Sequence, residues 1–170
     1  GKNRANWTIQ EYGKDVCFLI KKLNLKNVIL IGHSMGGDVI LEVAAEFPDS
    51  VIGFIAVDNF KNAGTEMPKE FQSQSAYILE MLKTDFANTS ENYAKLVLLT
   101  DLTDKAISGR VVSDYRNMDK SIGFSLISDA FSYYGRERDL MKQLKHKMYL
   151  INVDYYPTNE ELVKKYAASG

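Results

Sequence analysis

The sequence predicts an α/β fold with a mostly parallel sheet, flanked by helices and interrupted by a helical insertion. Three short apolar runs, residues 28–31, 51–57 and 148–153, are predicted strands. The first run is entirely apolar, which is typical of a strand that is covered on both faces. A stretch of helical periodicity separates the first run from the second. Strands joined by such a crossover lie parallel, so the order of the patterns predicts the fold class.

The helices are predicted from apolar spacing and from signals at their ends. Residues 8–25 carry apolar side chains three and four apart, with charged residues on the other face. A second helix begins at about Met35 and ends before Pro48, because proline cannot continue a helix. After the third strand, Thr158 is the predicted N-cap of a further helix, and Glu161 completes a capping box.

The long segment between the second and third strands defines the predicted domain organisation. Residues 60–144 contain no convincing apolar strand, and their periodicity is helical. The chain has 170 residues, of which 45% are hydrophobic, enough for one compact core. We therefore predict a core formed by residues 1–59 and 145–170, with residues 60–144 as a helical insertion.

Composition excludes several classes of function. The chain has 21 basic and 22 acidic residues, so its net charge of -1 predicts neither a nucleic-acid partner nor a membrane surface. One cysteine and two histidines provide no metal-ligand cluster, and we predict no cofactor. Because Cys17 has no disulfide partner within these residues, we predict a reducing, cytoplasmic location.

The stretch GHSMGG holds the candidate chemistry. Gly32, Ser34 and Gly36 fit the G-x-S-x-G pattern between a predicted strand and a predicted helix. Such a turn forces the serine into a strained conformation, and side chains at positions 32 and 36 are expected to collide across it. Ser34 is therefore a predicted nucleophile, and the Met35 N–H, at the helix N-terminus, a predicted oxyanion donor. The alternative is a glycine-rich turn that only connects the two elements.

The neighbouring sequence supports a family resemblance. GHSMGG, with WTIQEYGKDVCFLIKKLNLKNVILI before it and VIGFIAVD after it, resembles the α/β-hydrolase fold superfamily. The resemblance is close over residues 7–58 and looser from residue 139 onward. It implies an eight-stranded sheet in a complete member, Ser34 as the nucleophile and a helical cap formed by the insertion. Dehalogenases and epoxide hydrolases of this superfamily carry aspartate at the elbow, so serine favours esterase-like acyl chemistry.

The resemblance also implies an acid and a histidine from later loops. Asp154 is the predicted acid, although an ungapped match places Tyr156 there and Asp58 is an alternative. His33 stands beside the nucleophile with its ring expected to point away. His146, interpreted as a solvated surface residue, precedes the third strand, at the wrong end of the sheet. We therefore expect the catalytic histidine and a second oxyanion donor to lie outside these residues, in a longer chain.

Two classes of function remain open from the sequence. The first is a serine hydrolase that acts on a small ester-like substrate through an acyl-enzyme on Ser34, inactive as this piece alone because a serine without a base is a weak nucleophile. The alternative is a small-molecule receptor or signalling protein of the same fold, since such proteins often keep the elbow. An incomplete sheet is also expected to self-associate through its exposed edges.

Overall fold

The structure, a computed structural model, describes residues 4–154 and 156–167 and contains a three-stranded parallel sheet. Its strands are β1 (Val28–His33), β2 (Val51–Val57) and β3 (Met148–Ile151), in the spatial order β1-β2-β3. Gly32 pairs with Ala56 and Ala56 with Leu150, so the carboxyl ends of all three strands lie along one edge. The prediction of an α/β fold with a parallel sheet is confirmed.

Helices form the rest of the regular structure among the described residues. A π-helical turn, Ala94–Leu98, directly follows the fourth helix. The α-helices are α1 (Ile9–Lys22), α2 (Met35–Glu46), α3 (Lys69–Thr84), α4 (Phe86–Tyr93), α5 (Lys105–Arg116), α6 (Lys120–Ser132), α7 (Tyr134–Met141) and α8 (Glu160–Tyr166).

The start of α8 differs from the prediction. Asn159, and not Thr158, is the N-cap, since the Asn159 side chain accepts a hydrogen bond of 3.2 Å from the Leu162 N–H. The Thr158 hydroxyl instead accepts a hydrogen bond of 2.7 Å from the side-chain amide of Asn152. The predicted cap is therefore wrong, because the side chain of Asn152, six positions earlier in the chain, occupies the threonine oxygen.

The chain divides into two compact units, Gly1–Glu66 together with Ser132–Gly170, and Met67–Phe131. The first unit contains the sheet with α1, α2, α7 and α8. The second contains α3, α4, α5, the π-helical turn and nearly all of α6. The predicted insertion, residues 60–144, contains Met67–Phe131 together with flanking residues of the first unit, and its limits stay a prediction.

The sheet buries one face among the described residues. Helix α2 packs against β1 and β2. Leu30, Phe54 and Ala56 are buried on that face, whereas Ile29 and Ile31 are 57% and 65% exposed. Thus β1 alternates between buried and exposed positions, and the prediction that both of its faces are covered does not hold within the described residues.

The second unit also buries apolar side chains. Leu82, Phe86 and Ala94 are buried in α3, α4 and the π-helical turn. A Cβ atom at Gly123 would overlap the ring of Phe86 and lie 2.7 Å from the Met118 sulfur, so these two side chains would have to move to admit a larger residue at this position of α6. No helix among the described residues is both long enough and apolar enough to cross a bilayer.

Candidate active site at the carboxyl ends of the strands

Ser34 has the strained backbone expected of the turn between β1 and α2. Its φ of 50° and ψ of -130° lie in a region that L-residues rarely adopt, at a typical cost of about 1–3 kcal/mol. The residue is exposed. Its side chain caps no N–H of α2, a helix whose residues are all described. The fold therefore presents the Ser34 hydroxyl at the carboxyl edge of the sheet.

Hydrogen bonds hold both polar groups of the Ser34 backbone. Its N–H donates to the carbonyl oxygen of Val57 at 2.9 Å, which extends the ladder between β1 and β2. Its carbonyl oxygen accepts from the Gly37 N–H at 2.7 Å and from the Asn59 side-chain amide at 2.7 Å. The strained residue is thus fixed mainly by the end of the neighbouring strand.

The glycines of the elbow have different roles. A Cβ atom at Gly32 would overlap the carbonyl oxygen of Gly36 and lie 2.8 Å from the Gly37 nitrogen, so the expected collision at position 32 is present. A Cβ atom at Gly36 would meet no atom within 4 Å. The prediction of a collision at position 36 is therefore wrong. The second close approach is at Gly37, where a Cβ atom would lie 3.0 Å from the Cβ of Asn59 and overlap its amide nitrogen.

Met35 is the first residue of α2, a helix of 12 residues. The first N–H groups of a helix have no intrahelical acceptor, and the helix dipole gives this end partial positive charge. The Met35 N–H therefore has the electrostatic character required of an oxyanion donor next to Ser34. Its role stays a prediction.

Asp58, the alternative acid, is engaged by a lysine. The residue follows β2 with a φ of 50°, and its N–H donates to the Ile151 carbonyl oxygen at 2.9 Å. The Lys61 ammonium lies 2.8 Å from an oxygen of the Asp58 carboxylate and donates to the Val153 carbonyl oxygen at 2.9 Å. The Lys61 side chain is only 11% exposed. This carboxylate therefore neutralises a largely buried cation.

Asp154, the predicted acid, lies in the turn after β3 and is exposed. Parallel topology brings this turn to the same edge of the sheet as Ser34. Tyr156, which takes the acid position in the ungapped match, is 38% exposed, and its hydroxyl accepts a hydrogen bond of 3.3 Å from the Asn62 side chain. The assignment of the acid stays a prediction.

Neither histidine is placed as a base for Ser34. His33 is exposed and shares the face of β1 with Ile29 and Ile31. His146 is half-buried, and its Nε2 donates to the Pro48 carbonyl oxygen at 2.8 Å. Because His146 and Pro48 precede β3 and β2, this contact lies at the amino ends of the strands. The interpretation of His146 as a solvated surface residue is therefore wrong.

The polar residues behind the elbow were not predicted from the sequence. Asp38 is buried in the first turn of α2, and its carboxylate accepts a hydrogen bond of 3.2 Å from the Asn59 side chain. Burial, followed by the charge of Asp38, raises the pKa of Glu137 to about 8, and a hydrogen bond of 3.0 Å from the Gly64 N–H opposes this shift. The available signal was two carboxylates, Asp38 and Glu42, four residues apart on a helix whose remaining residues are apolar except for Glu46 at its end.

Glu42, which is itself buried, anchors a second polar network in the first unit. The Tyr133 hydroxyl donates to this carboxylate at 2.5 Å, and the Arg136 guanidinium donates to both of its oxygens. Burial, reinforced by the Glu42 carboxylate, raises the pKa of Tyr133 well above its ordinary value. A groove beside this network is lined by α1, α2 and Arg136, and its lining includes none of the predicted site residues.

Comparison with known families agrees with this arrangement. A family model described as the alpha/beta hydrolase fold matches residues 1–134. The chain therefore belongs to the α/β-hydrolase fold family, as the GHSMGG elbow and its flanking sequence predicted.

Individual relatives match parts of the chain. A sn-1-specific diacylglycerol lipase of Xenopus tropicalis is 46% identical over 44 residues, which cover 26% of this chain and 14% of the lipase. A hydrolase from Oleispira antarctica superposes with a TM-score of 0.77 at 14% identity, covering 95% of this chain and 61% of that one. A carboxylesterase from Bacillus subtilis has a TM-score of 0.62 at 17% identity, covering 97% and 56%. The chain thus spans only part of each of these proteins.

Proposed function

We propose that this chain provides the nucleophile of a serine hydrolase that cleaves a small ester-like substrate through an acyl-enzyme on Ser34. The observation that carries the proposal is the Ser34 backbone, strained at a φ of 50° between β1 and α2, with the residue exposed at the carboxyl edge of the sheet. Strain of this kind persists where surrounding contacts impose it, and it is concentrated at functional sites. The partial match to a diacylglycerol lipase supports ester chemistry.

The proposed reaction has two steps. The Ser34 oxygen attacks the carbonyl carbon, its proton passes to a general base, and the negative charge that develops on the carbonyl oxygen is stabilised by the Met35 N–H. The carbonyl re-forms as the alcohol leaves with a proton. Water then attacks the acyl-enzyme, releasing the carboxylic acid and restoring the Ser34 hydroxyl. The base must be a group other than His33 or His146, because neither is placed for this role.

Asp154 is the acid that we propose to orient the base. It is exposed at the correct edge of the sheet, and its carboxylate is therefore accessible to an incoming imidazole. Asp58 is less suitable, since the Lys61 ammonium already lies 2.8 Å from its carboxylate. A base held by Asp58 would have to compete with this ion pair.

Labelling of the full-length protein with a fluorophosphonate tests the nucleophile, because the reagent reacts with activated serines. Ser34→Ala should abolish labelling and hydrolysis of p-nitrophenyl butyrate. The matched control is Ser73→Ala, which removes an exposed hydroxyl from α3 and should leave both unchanged. A diacylglycerol assayed beside the short ester would define the acyl class. Absence of labelling in the wild-type protein would refute the activated serine.

The same Ser34→Ala variant also separates the enzyme from a receptor of the same fold, when its ligand binding is measured beside turnover. A receptor would bind a small ligand without turnover, and its ligand binding would survive Ser34→Ala.

We further propose a small-molecule substrate, a cytoplasmic location and self-association through β1 and β3, the edge strands of the described sheet. Light scattering of this chain tests the last point, and a strictly monomeric mass would contradict it.

A further inference from the structure

We propose that Asn59, held in turn by Asn152, is a positioning residue for the nucleophile elbow. This inference rests on the proposed function, since it concerns the reactivity of Ser34. The residues Ser34, Asn59 and Asn152 follow β1, β2 and β3 respectively, so the two asparagines connect the carboxyl ends of all three strands.

The first link joins Asn59 to the elbow. The Asn59 side-chain amide donates to the Ser34 carbonyl oxygen at 2.7 Å and to the Asp38 carboxylate at 3.2 Å. These acceptors lie on either side of the first turn of α2. One amide group therefore fixes the position of the helix N-terminus and the peptide unit between Ser34 and Met35, which carries the proposed oxyanion donor.

The second link joins Asn59 to the loop that carries Asp154. The Asn59 N–H donates to the Asn152 side-chain oxygen at 3.1 Å, and the Asn59 carbonyl oxygen accepts from the Asn152 amide at 3.0 Å. The same amide donates to the Thr158 hydroxyl at 2.7 Å. Residues on both sides of Asp154 are thus tied, through Asn59, to the peptide unit of Ser34.

The backbone around Asn59 explains why it needs such support. Asp58 and Phe60, its two neighbours, have φ values of 50° and 57°, in the left-handed region that side chains disfavour. The Phe60 N–H donates to the Asn59 side-chain oxygen at 2.6 Å. Strained conformations persist only where the surrounding contacts determine them, and Asn59 provides these contacts for its own segment and for Ser34.

Gly37 gives independent support for this role. A Cβ atom at Gly37 would overlap the Asn59 amide nitrogen and lie 3.0 Å from its Cβ. The second glycine of the GG pair thus provides the space in which the Asn59 side chain reaches Ser34. The glycine at position 37 and the position of the Asn59 side chain therefore indicate the same contact, although the two residues are 22 positions apart in the chain.

The test variant is Asn59→Asp in the full-length protein. It keeps the shape of the side chain and its acceptor for the Phe60 N–H, but places an oxygen where the amide donated to Ser34 and Asp38. Small displacements of reacting groups reduce rates by up to about 100-fold, so we expect fluorophosphonate labelling to slow by about 10- to 100-fold. With p-nitrophenyl butyrate, kcat should fall while KM stays within about twofold.

The matched control is Asn117→Asp at the end of α5. The Asn117 amide also donates to a backbone carbonyl oxygen, that of Ser113, at 2.8 Å, so the control loses the same kind of bond and gains the same charge. It should label at the wild-type rate. Asn152→Asp keeps the acceptor for the Asn59 N–H and should give a smaller loss of kcat. Where the wild-type protein labels, equal labelling rates for Asn59→Asp and Asn117→Asp would overturn the inference.

Hydrogen exchange separates failure of the inference from failure of the proposed function. Exchange in the peptide spanning residues 32–38 should be faster in Asn59→Asp and unchanged in Asn117→Asp. If the wild-type protein does not label, the proposed function fails, and faster exchange would still support the positioning of the elbow by Asn59. Unchanged exchange in Asn59→Asp would overturn the inference, whatever the wild-type protein does.

Discussion

The turn after β1 and the loop after β3 lie at the same edge of the sheet, but they are determined in different ways. The turn is held by backbone bonds from Ser34 and by the absence of a side chain at Gly32. The loop, which carries Asp154, is exposed and is tied down through Asn152 and Thr158. Backbone sterics, supported by one side-chain bond from Asn59, therefore shape the first region, whereas side-chain bonds alone shape the second.

This difference explains what each region tolerates. A position limited by backbone contact cannot accept a larger residue without moving a strand or a helix. A position on an exposed loop accepts most substitutions, so its chemistry is separable from its stability. Substitutions at the two regions should consequently differ more in their free energies of unfolding than in their effects on labelling of Ser34.

Gly32→Ala should have the largest effect. Its Cβ atom would overlap the Gly36 carbonyl oxygen and lie 2.8 Å from the Gly37 nitrogen, which are backbone atoms that cannot move independently. Overpacking typically costs 1–3 kcal/mol and occasionally more, and we expect a loss of about 3 kcal/mol or more in the free energy of unfolding. Urea denaturation followed by circular dichroism measures this loss.

The control for this comparison is Gly36→Ala in the same turn. Its Cβ atom would meet no atom within 4 Å, and alanine is favoured over glycine in a helix by about 1 kcal/mol. We expect the free energy of unfolding to stay within about 1 kcal/mol of the wild-type value. Equal losses for the two variants would show that the elbow is not limited by contact at Gly32.

Glu137→Gln should have an intermediate effect that depends on pH. Burial and the charge of Asp38 raise the pKa of Glu137 from its ordinary 4.5 to about 8. Between these values the folded protein holds a proton that the unfolded chain has lost, so stability falls as pH rises. Across this range the loss is on the order of a few kcal/mol. Glutamine stays neutral, and Glu137→Gln should remove this fall when unfolding is measured from pH 4.5 to 8.

Glu160→Gln provides a control of opposite sign. Hydrogen bonding to Lys164 lowers the pKa of Glu160, so any contribution of this group is lost as pH falls, not as it rises. The fall in stability towards pH 8 should therefore persist in Glu160→Gln. A wild-type protein whose stability does not decrease over this range would contradict the protonated state of the half-buried Glu137.

The same contrast shows how much the sequence could predict. Periodicity predicted the three strands, and the G-x-S-x-G pattern predicted the turn at Ser34, because both depend on residues that are close in the chain. The Asn59 contacts and the His146 bond to Pro48 join residues that only the fold brings together, and the Asn152 bond to Thr158 spans six positions of an irregular loop. Such contacts leave no local pattern, which is why the cap at Thr158 was wrong and the positioning residue was missed.

Asp154→Asn should have the smallest effect on stability and still affect the chemistry. The residue is exposed, so the free energy of unfolding should change by less than about 0.5 kcal/mol. If Asp154 orients the base, labelling of Ser34 should slow by at least about 10-fold in the full-length protein.

Asp58→Asn should have the opposite pair of effects, a loss of stability and no loss of labelling. It deprives the largely buried Lys61 ammonium of its anion, which should cost about 1 kcal/mol in the free energy of unfolding. Slow labelling of Asp58→Asn together with normal labelling of Asp154→Asn would identify Asp58, which follows β2, as the acid. The base would then compete with Lys61 for the same carboxylate.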